Sequence, residues 1–237
     1  MRIVEGYPAL LLDRHLIIAD LYIGYEIELR EKGISLPSLV DEFLLKLSEL
    51  KERTKARELH ILGDVKHSVT SPKLEEVIEL TRFFDKCLEL FEAVHVVPGN
   101  HDGSLSNYIT KEVRLYSPRG TILKVKGVKY GLLHGHAIPT REVLRSKVLI
   151  VAHLHFKLKY QNLKIPVWLK VKQEDRQIVF IPPFNTYLPG QPLGLDAPTL
   201  PFIPQDRLYE AEVYTLEGYY LGRIKELDRA IIEVEGD

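Results

Sequence analysis

The sequence has few of the residues that characterise secreted or membrane-embedded proteins. Its 237 residues include one cysteine, one methionine and one tryptophan. The single Cys87 excludes an internal disulfide. No apolar run has membrane-spanning length and the first residues show no signal-peptide pattern, so we expect a cytoplasmic protein without a membrane partner.

The composition is that of a soluble globular protein, with 45% hydrophobic and 27% charged residues. The length predicts one domain over residues 1–237, with a Pro-rich loop at 182–206 and a C-terminal hairpin at 207–237 as its extension. Scarce Cys and Met, abundant Glu, Lys and Arg, and 14 prolines favour a thermophilic source.

The formal net charge of -1 conceals a strong asymmetry along the chain. Residues 1–110 carry a net charge of -6, residues 111–176 carry +11, and residues 177–237 carry -6. The basic middle could attract a polyanion such as a nucleic acid. Alternatively, strand alternation distributes its lysines over several faces, and the sequence leaves both interpretations open.

The first half alternates short apolar runs with amphipathic segments. A hairpin is predicted from Tyr7–Leu12 and His15–Ala19, and later strands from Leu59–Leu62 and Ala93–Val97. One helix follows Pro37. Another has Ser71 as N-cap and Pro72 at its first position. The helical stripes are Leu39, Val40, Phe43, Leu44, Leu47 and Leu50 in the first, and Leu74, Val77, Ile78, Thr81, Phe84, Leu88 and Phe91 in the second, with Cys87 filling core beside it.

The second half is rich in strand-like runs and has one short helical candidate near Arg141–Arg145. It predicts a second, mostly antiparallel sheet packed on the first. The expected fold class is therefore α/β (α+β), a four-layer arrangement with a two-sheet β-sandwich flanked by helices. The expected strands are Thr121–Val125, Val128–Leu133, Val148–Val151, Val167–Val171 and Gln177–Ile181, with a hairpin from Glu210–Thr215 and Tyr219–Gly222.

Polar side chains follow several of these runs. The turn Pro98-Gly99-Asn100-His101-Asp102-Gly103 places an amide, an imidazole and a carboxylate directly after a buried strand. Such a group is costly to bury unless it binds something, although Asn, Asp and Gly also favour ordinary turns. The candidate metal ligands that follow strand-like runs are Asp20, Asp64, Asn100, His134, His153 and His155.

Mixed carboxylate, amide and imidazole ligands suit borderline divalent metals. Six candidates exceed the need of one tetrahedral ion, so we expect two metals that share a carboxylate. Two ions about 3.5–4 Å apart can stabilise both the attacking and the leaving oxygen of a phosphoryl displacement.

The ordered set of motifs over residues 20–155 resembles the calcineurin-like metallophosphoesterases. The resemblance is carried by Asp20, Gly63-Asp64 with His67, Gly99-Asn100-His101-Asp102, His134-Gly135 and His153-Leu154-His155. A finer similarity is to archaeal phosphoesterases related to the Mre11/SbcD nucleases and to DNA-ligase-associated phosphoesterases. It rests on Gly63-Asp64-Val65-Lys66-His67-Ser68, His134-Gly135-His136 and the segment from Pro182-Pro183-Phe184-Asn185.

The resemblance implies a metal-dependent phosphodiesterase acting on a nucleic acid or nucleotide through two divalent ions. Mn²⁺ is the first expectation, with Fe²⁺, Zn²⁺ or Ni²⁺ as alternatives. Asp64 would bridge the ions, Asp20 and His155 would bind the first, and Asn100, His134 and His153 the second. The resemblance further places His101 at the scissile phosphate, Asp102 behind it as its orienting partner, and His67 along the site.

Two positions depart from the family pattern. Ala152 replaces a glycine, which is a small change, and Tyr22 stands where a second histidine is usual. Tyr22 either binds the metal as a phenolate or packs beside a weakened first site, and a phenol with a normal pKa near 10 favours the latter. A weakened site also leaves open a second class of function, a scaffold or binding protein. Homodimerisation stays open as well.

The remaining histidines have plainer interpretations. His60 and His95 lie inside strand-like runs and are expected to face outward or to be satisfied in the core. His15 is assigned to a turn. His136 could contact substrate or support a ligand. For His67, a surface residue at a helix entry is the alternative to the place along the site that the resemblance implies. The Pro-rich segment is expected to be an ordered loop, either beside the site or on an unrelated surface.

Overall fold

The computed structural model describes residues 1–161 and 163–228. Its first sheet has six strands in sequence order, of which β3 to β6 are parallel. The strands are β1 (Arg2–Ile3), β2 (Leu10–Leu12), β3 (His15–Ile18), β4 (Glu58–Leu62), β5 (Ala93–Val97) and β6 (Arg114–Leu115). The helices that connect them are α1 (Tyr25–Glu31), α2 (Leu39–Thr54) and α3 (Leu74–Leu90). The predicted alternation of strands and helices is confirmed here, including the β2–β3 hairpin.

The second sheet has seven strands, with the order β16-β15-β12-β13-β9-β8-β7, and a three-stranded sheet has the order β11-β10-β14. The strands are β7 (Thr121–Val125), β8 (Val128–Leu133), β9 (Val148–Val151), β10 (Phe156–Tyr160), β11 (Leu163–Pro166), β12 (Trp168–Gln173), β13 (Arg176–Phe180), β14 (Gln191–Pro192), β15 (Glu212–Tyr214) and β16 (Tyr220–Arg223). Two short helices are α4 (Arg141–Leu144) and α5 (Gln205–Tyr209). In the seven-stranded sheet only β8, β9 and β13 pair in parallel, so it is mostly antiparallel, as predicted.

Three apolar clusters define the layers. Ile17 and Leu62 of the first sheet pack against Ile150 and Trp168 of the second, which forms the interior of the sandwich. Helices α2 and α3 cover the outer face of the first sheet, and the segment before α5 covers the outer face of the second. These layers confirm the predicted two-sheet sandwich flanked by helices.

Helix α3 differs from the sequence prediction in its start and its buried face. It begins at Leu74 with Lys73 as N-cap, so the assignment of Ser71 and Pro72 is wrong. Leu74 and Ile78 are 75% and 55% exposed, whereas Leu80, Phe83, Phe84 and Cys87 are buried. The helix is rotated so that Glu76 also faces inward, where its carboxylate accepts hydrogen bonds from the backbone of the loop after β4.

Several elements were absent from the sequence prediction, among them α1, the strands β10 and β11, and α5. Strands β10 and β11 alternate apolar residues with lysines, a strand pattern that the sequence interpretation left unassigned. Helix α5 occupies part of the segment assigned to the C-terminal hairpin, which itself forms from β15 and β16. The last part of that predicted segment, residues 229–237, lies outside the described residues. Among the described helices, none has the length and apolar character needed to cross a membrane.

Candidate metal centre

The six expected ligands lie on loops at one edge of the sandwich. Asp20, Asp64 and Asn100 follow the carboxyl ends of β3, β4 and β5, which are parallel neighbours. His134 follows β8, and the segment with His153 and His155 follows β9, again at carboxyl ends. Parallel strands bring the residues after their carboxyl ends to a common edge, which explains how distant segments meet here.

The loops reach the site through sharp backbone turns. Asp20, Tyr22, Asp64, His153 and His155 all have a left-handed backbone, with φ between 46° and 75°. Side chains seldom adopt this conformation, and Asp and His do so more often than most residues. Five such residues at one edge indicate a backbone that is shaped to aim their side chains.

Two glycines permit the loops to pack this closely. A Cβ on Gly99 would lie 2.1 Å from Oδ1 of Asp64, and a Cβ on Gly63 would lie 2.5 Å from Nδ1 of His134. Both distances are far below normal contact, so a side chain at either position would displace a candidate ligand. The two glycines are therefore required by the close approach of the site loops.

Asp64 is fully buried at the centre of the site. Its Oδ1 accepts a 2.9 Å hydrogen bond from the backbone N–H of His101, and its Oδ2 accepts a 2.6 Å bond from the hydroxyl of Tyr22. Nε2 of His134 lies 3.3 Å from the same Oδ2. Burial alone would raise the pKa of Asp64, but His134 and the two hydrogen-bond donors outweigh it and hold the pKa well below its usual range. Asp64 is thus a carboxylate.

His134 presents one ring nitrogen to the site. Its Nδ1 lies 2.9 Å from the carbonyl oxygen of Leu62, which places the hydrogen on Nδ1. Its Nε2 then faces Oδ1 of Asn100 at 3.2 Å and the carboxylate of Asp64. Burial opposes protonation, but Asp64 and Asp20 outweigh it and raise the pKa of His134 to about 9. The site therefore attracts positive charge at this nitrogen.

His153 completes a three-residue group with Asp64 and His134. One potential ligand atom from each of these side chains lies within 4.8 Å of the other two. Burial, and then the charge of His134, lower the pKa of His153 to about 4, so its imidazole is neutral near pH 7. A neutral imidazole is the form that binds a metal ion.

The first expected metal position has an unsatisfied pair of polar atoms. Oδ1 of Asp20 and Nε2 of His155 lie 3.2 Å apart. Both atoms are buried, and neither has a hydrogen-bond partner among the residues that the structure describes. Unpartnered buried atoms of this kind are costly, and a shared cation would satisfy both. Asp20 and His155 could thus share a cation, and Asp64, His134 and His153 could hold another, with Asn100 beside His134.

The Pro-rich segment lies against this first position. The backbone N–H groups of Phe184 and Asn185 donate to the carbonyls of Ala19 and Asp20, and the side chain of Asn185 donates to the carbonyl of Leu21. Asn185 is fully buried. Of the two interpretations from the sequence, the structure thus shows the ordered loop beside the site.

Tyr22 is held by a hydrogen bond and ring packing. Besides donating to Asp64, its ring lies 4.7 Å from the ring of His101 and 5.6 Å from that of His155, measured between centroids. Burial, followed by the negative charge of Asp64, raises the pKa of the phenol far above its usual range. The hydroxyl therefore keeps its hydrogen, which favours a hydrogen-bonded tyrosine over a phenolate ligand.

Asp102 has contacts that differ from the role implied by the resemblance. Its Oδ1 accepts from the backbone N–H groups of Val65 at 2.9 Å and Lys66 at 3.2 Å, and its Oδ2 accepts from Gly99 at 2.8 Å. The expectation that it orients the ring of His101 is corrected: Asp102 joins the loops after β4 and β5. It is buried, and that burial raises its pKa.

His101 is oriented instead by a backbone carbonyl. Its Nδ1 lies 2.5 Å from the carbonyl oxygen of His67, which leaves Nε2 available to another group. His101 and His67 both line a cavity of about 370 Å³, whose wall also includes Glu28 and Lys73. The structure thus places His67 beside the site, with its ring nitrogen Nε2 on the carboxylate of Glu28.

Glu28 and Glu76 are site-supporting residues that the sequence interpretation missed. Glu28 contacts the ring of His67, and Glu76 holds the backbone N–H groups of His67 and Ser68. Both belong to helices whose charged residues look like ordinary solvent-facing positions. His136 was left open, and it is exposed with its ring centroid 5.2 Å from that of His134.

Comparison with known proteins supports the fold. No protein-family model matches the chain, and neither does any curated protein. Among solved structures, the chain is similar to the crystal structure of the Pseudomonas putida nuclease MPE. The TM-score is 0.56, the sequence identity is 19%, and the match covers 88% of each chain. At this identity the similarity establishes a shared fold.

Proposed function

We propose that this chain is a metal-dependent phosphodiesterase that hydrolyses nucleic acid with two divalent ions. The observation that carries the proposal is the convergence of Asp64, His134 and His153 with the unsatisfied pair of Asp20 and His155 at one edge of the sandwich. Carboxylates and neutral imidazoles together suit borderline ions, with Mn²⁺ first and Fe²⁺, Zn²⁺ or Ni²⁺ as alternatives. When bound, two such ions would activate water and neutralise charge on the phosphoryl oxygens.

The residues around the proposed ions orient the ligands and supply a proton to the leaving oxygen. The backbone N–H of His101 fixes the Asp64 carboxylate, and the carbonyl of Leu62 fixes the hydrogen on Nδ1 of His134. The carbonyl of His67 likewise engages Nδ1 of His101. Nε2 of His101 is then the atom that gives a proton to the leaving oxygen, or donates a hydrogen bond to the developing charge.

Nucleic acid is the proposed substrate class because a basic, partly aromatic hairpin follows the site. Strand β10 begins directly after His155, and in its pairing with β11 Lys159 lies opposite Lys164. Tyr160 and Leu163 are each 61% exposed on the same hairpin. Lysines with an exposed aromatic ring suit a phosphate backbone and unpaired bases. The nuclease activity named for the Pseudomonas putida structure agrees with this choice.

Other lysines of the basic segment, residues 111–176, contact different parts of the protein, as expected if they are distributed over several faces. Lys126 pairs with Asp13 at 2.8 Å and Lys172 with Glu212 at 3.1 Å. Lys157 is buried, and its ammonium donates to the carbonyls of Thr186 and Leu188. The buried Lys157 of β10 has a structural role, whereas Lys126 and Lys172 form exposed ion pairs. The proposed contact with nucleic acid therefore falls on the exposed lysines of the hairpin and on other exposed positions. The finer relation to archaeal Mre11/SbcD-related and ligase-associated enzymes belongs to the same proposal and rests on the motif resemblance.

Hydrolysis assays with and without metal test the proposal. We expect turnover of bis-p-nitrophenyl phosphate, and of labelled single-stranded and duplex DNA and RNA, with added Mn²⁺, and no turnover with EDTA. Asp64→Asn should lower the rate by several orders of magnitude and reduce bound metal, because it removes charge where both ions meet. Asp85→Asn, on the exposed face of α3, is the matched control. Failure of the wild type in every divalent metal would overturn the proposal.

The salt dependence of binding tests the substrate class. If the hairpin contacts phosphates, affinity for DNA or RNA should fall steeply with salt because counterions are released. Lys164→Gln should make that slope shallower. A flat response, with small nucleotides cleaved as fast as polymers, would point to a small-molecule phosphodiesterase.

A non-catalytic scaffold is the second candidate, and Tyr22 is the observation that favours it. Its hydroxyl occupies Oδ2 of Asp64, the carboxylate assigned to both ions. A scaffold should bind at most one ion tightly and show no turnover in any metal. Turnover by Tyr22→His but not by the wild type would identify a chain that has lost catalysis through this one residue.

A further inference from the structure

A second group of metal-ligating side chains lies at the opposite end of the first sheet. His15 is the first residue of β3, Glu58 is the first residue of β4, and His60 follows two positions later. One ligand atom from each lies within 4.8 Å of the others. His15 begins β3, whereas Asp20 follows its carboxyl end, so this group lies at the opposite end of the strand from the candidate metal centre.

Strand register explains why these residues meet. His15 pairs with Glu58 across β3 and β4, and His60 pairs with His95 across β4 and β5. Residues two apart on a strand share a face, so His15 and Ile17 lie on the same side as the sandwich interior. His15 and His60 are buried at 9% and 4% exposure, which is unusual for polar side chains without a ligand.

Two of the three distances between the donor atoms are those of neighbouring ligands on one ion, and the third is within 4.8 Å. Nδ1 of His15 lies 3.1 Å from Nε2 of His60 and 3.3 Å from Oε2 of Glu58. Zinc bonds of about 2.0–2.1 Å in a tetrahedron place adjacent ligand atoms roughly 3.3 Å apart. Two imidazoles and one carboxylate are a ligand set that borderline divalent ions accept.

Hydrogen bonds already connect these side chains, and a metal ion would replace the contact between the two imidazoles. If Nδ1 of His15 carries a hydrogen, it must divide that hydrogen between His60 and Glu58. If it carries none, its lone pair faces the carboxylate at 3.3 Å. A cation between the three atoms would accept a lone pair from each of them.

The surroundings hold the carboxylate in position. Nε2 of His95 lies 3.1 Å from Oε2 of Glu58, and Nδ1 of His95 lies 3.0 Å from the hydroxyl of Tyr116. The guanidinium of Arg14 lies 3.3 Å from Oε1 of Glu58. Carboxylates that bind metals are commonly fixed by such outer contacts. The side chain of Glu58 is partly exposed, which gives an ion a route from solvent.

We propose that His15, Glu58 and His60 form a zinc-binding site that joins β3 to β4 at the end of the sandwich remote from the candidate metal centre. The three side chains leave a fourth tetrahedral position for water. Binding there would stabilise the folded state, because the unfolded chain does not bring the three ligands together. The site does not depend on the proposed phosphodiesterase activity.

Zinc binding by full-length protein with a disabled catalytic centre tests this proposal. Asp64→Asn with His134→Ala removes the shared carboxylate and one imidazole ligand from the candidate metal centre. This double variant, checked for folding by circular dichroism, should still bind one equivalent of Zn²⁺ in equilibrium dialysis. Added Zn²⁺ should raise its Tm. Adding His60→Ala should abolish both effects, whereas adding Glu92→Gln, on the exposed end before β5, should abolish neither.

Two outcomes would overturn the proposal: no zinc bound by the folded double variant, or zinc retained after His60→Ala. A structural measurement covers the case in which a variant fails to fold. Crystals of the wild type grown with Zn²⁺ should give an anomalous peak between Nδ1 of His15, Nε2 of His60 and Oε2 of Glu58. A map with peaks only at Asp64 and its neighbours would refute the site while leaving the proposed activity intact.

Discussion

The hydroxyl of Tyr22 donates a 2.6 Å hydrogen bond to Oδ2 of Asp64. This bond joins the residue that departs from the metallophosphoesterase pattern to the carboxylate assigned to both ions. Any ion that uses Oδ2 must displace this hydrogen bond, and Tyr22 leaves the position of Asp20 and His155 without the second imidazole that the resemblance predicts. We therefore expect one tightly bound ion, held by Asn100, His134 and His153, and one weak ion.

Replacing Tyr22 should strengthen the weak position. Tyr22→His adds an imidazole two residues from Asp20 and removes the competing donor, so the Mn²⁺ concentration for half-maximal activity should fall and the rate should rise. Tyr22→Phe removes the donor without adding a ligand and should lower that concentration by less. Metal titration of activity, with bound metal measured in parallel, distinguishes the three proteins.

Two results would contradict this account of Tyr22. Tight binding of two ions by the wild type would show that the hydroxyl does not weaken the site. Loss of metal in Tyr22→His would show that the phenol is itself a ligand or that its packing against His101 is structurally required.

His101 should affect the rate without affecting metal content. Its ring is oriented by the carbonyl of His67 and is not part of either proposed ligand set. His101→Ala should lower kcat by roughly 10²–10⁴-fold, because a proton donor at the leaving oxygen is lost. Elemental analysis should show the same bound metal as in the wild type. A parallel loss of metal would instead assign His101 as a ligand.

Asp102 should be a stability residue as well as a site residue. Asp102→Ala removes the acceptor of three N–H groups, those of Val65, Lys66 and Gly99, in a buried position. We expect the free energy of unfolding to fall by about 3 kcal/mol, as measured by urea denaturation. Asp85→Ala, on an exposed helix face, should change it by less than about 0.5 kcal/mol. If the two variants lowered the free energy of unfolding equally, the structural role of Asp102 would be refuted.

The thiol of Cys87 should be unreactive toward thiol reagents in the folded protein. Its thiol is fully buried in the core, and burial raises its pKa far above the value of a free cysteine. Because the thiolate is the reactive form, a thiol reagent at pH 8 should label the protein only after denaturation. Rapid labelling of the native protein would mean that α3 opens locally under these conditions.

The sequence predicts most strands and the order of the ligands because both follow from short-range pattern. Strand β8 and the His134 that ends it, for example, are visible as one apolar run with a polar end. Contacts between segments are not visible in this way. His15 was assigned to a turn and His60 to an unremarkable strand position, yet the register of β3 and β4 brings them to 3.1 Å.

The role of Asp102 was missed for a related reason. The motif shows that it neighbours His101, and neighbours in sequence suggest a shared role. The structure directs its carboxylate to the backbone of a loop 36 residues away in the chain. The buried face of α3 was misassigned because the apolar residues Leu74 and Ile78 fit a helical stripe. Glu76 faces inward because it accepts a hydrogen bond from the backbone of Ser68, a contact that the pattern of apolar residues does not show.

The left-handed backbone at Asp20, Tyr22, Asp64, His153 and His155 sets stability against chemistry. A side chain in this conformation costs about 1 kcal/mol or more relative to glycine, so each of these residues makes the chain less stable than it could be. Glycine at these five positions would relieve the backbone strain, but it would also remove side-chain contacts such as the hydrogen bond between Tyr22 and Asp64. The loops thus carry conformational strain in order to hold these side chains at one edge of the sandwich.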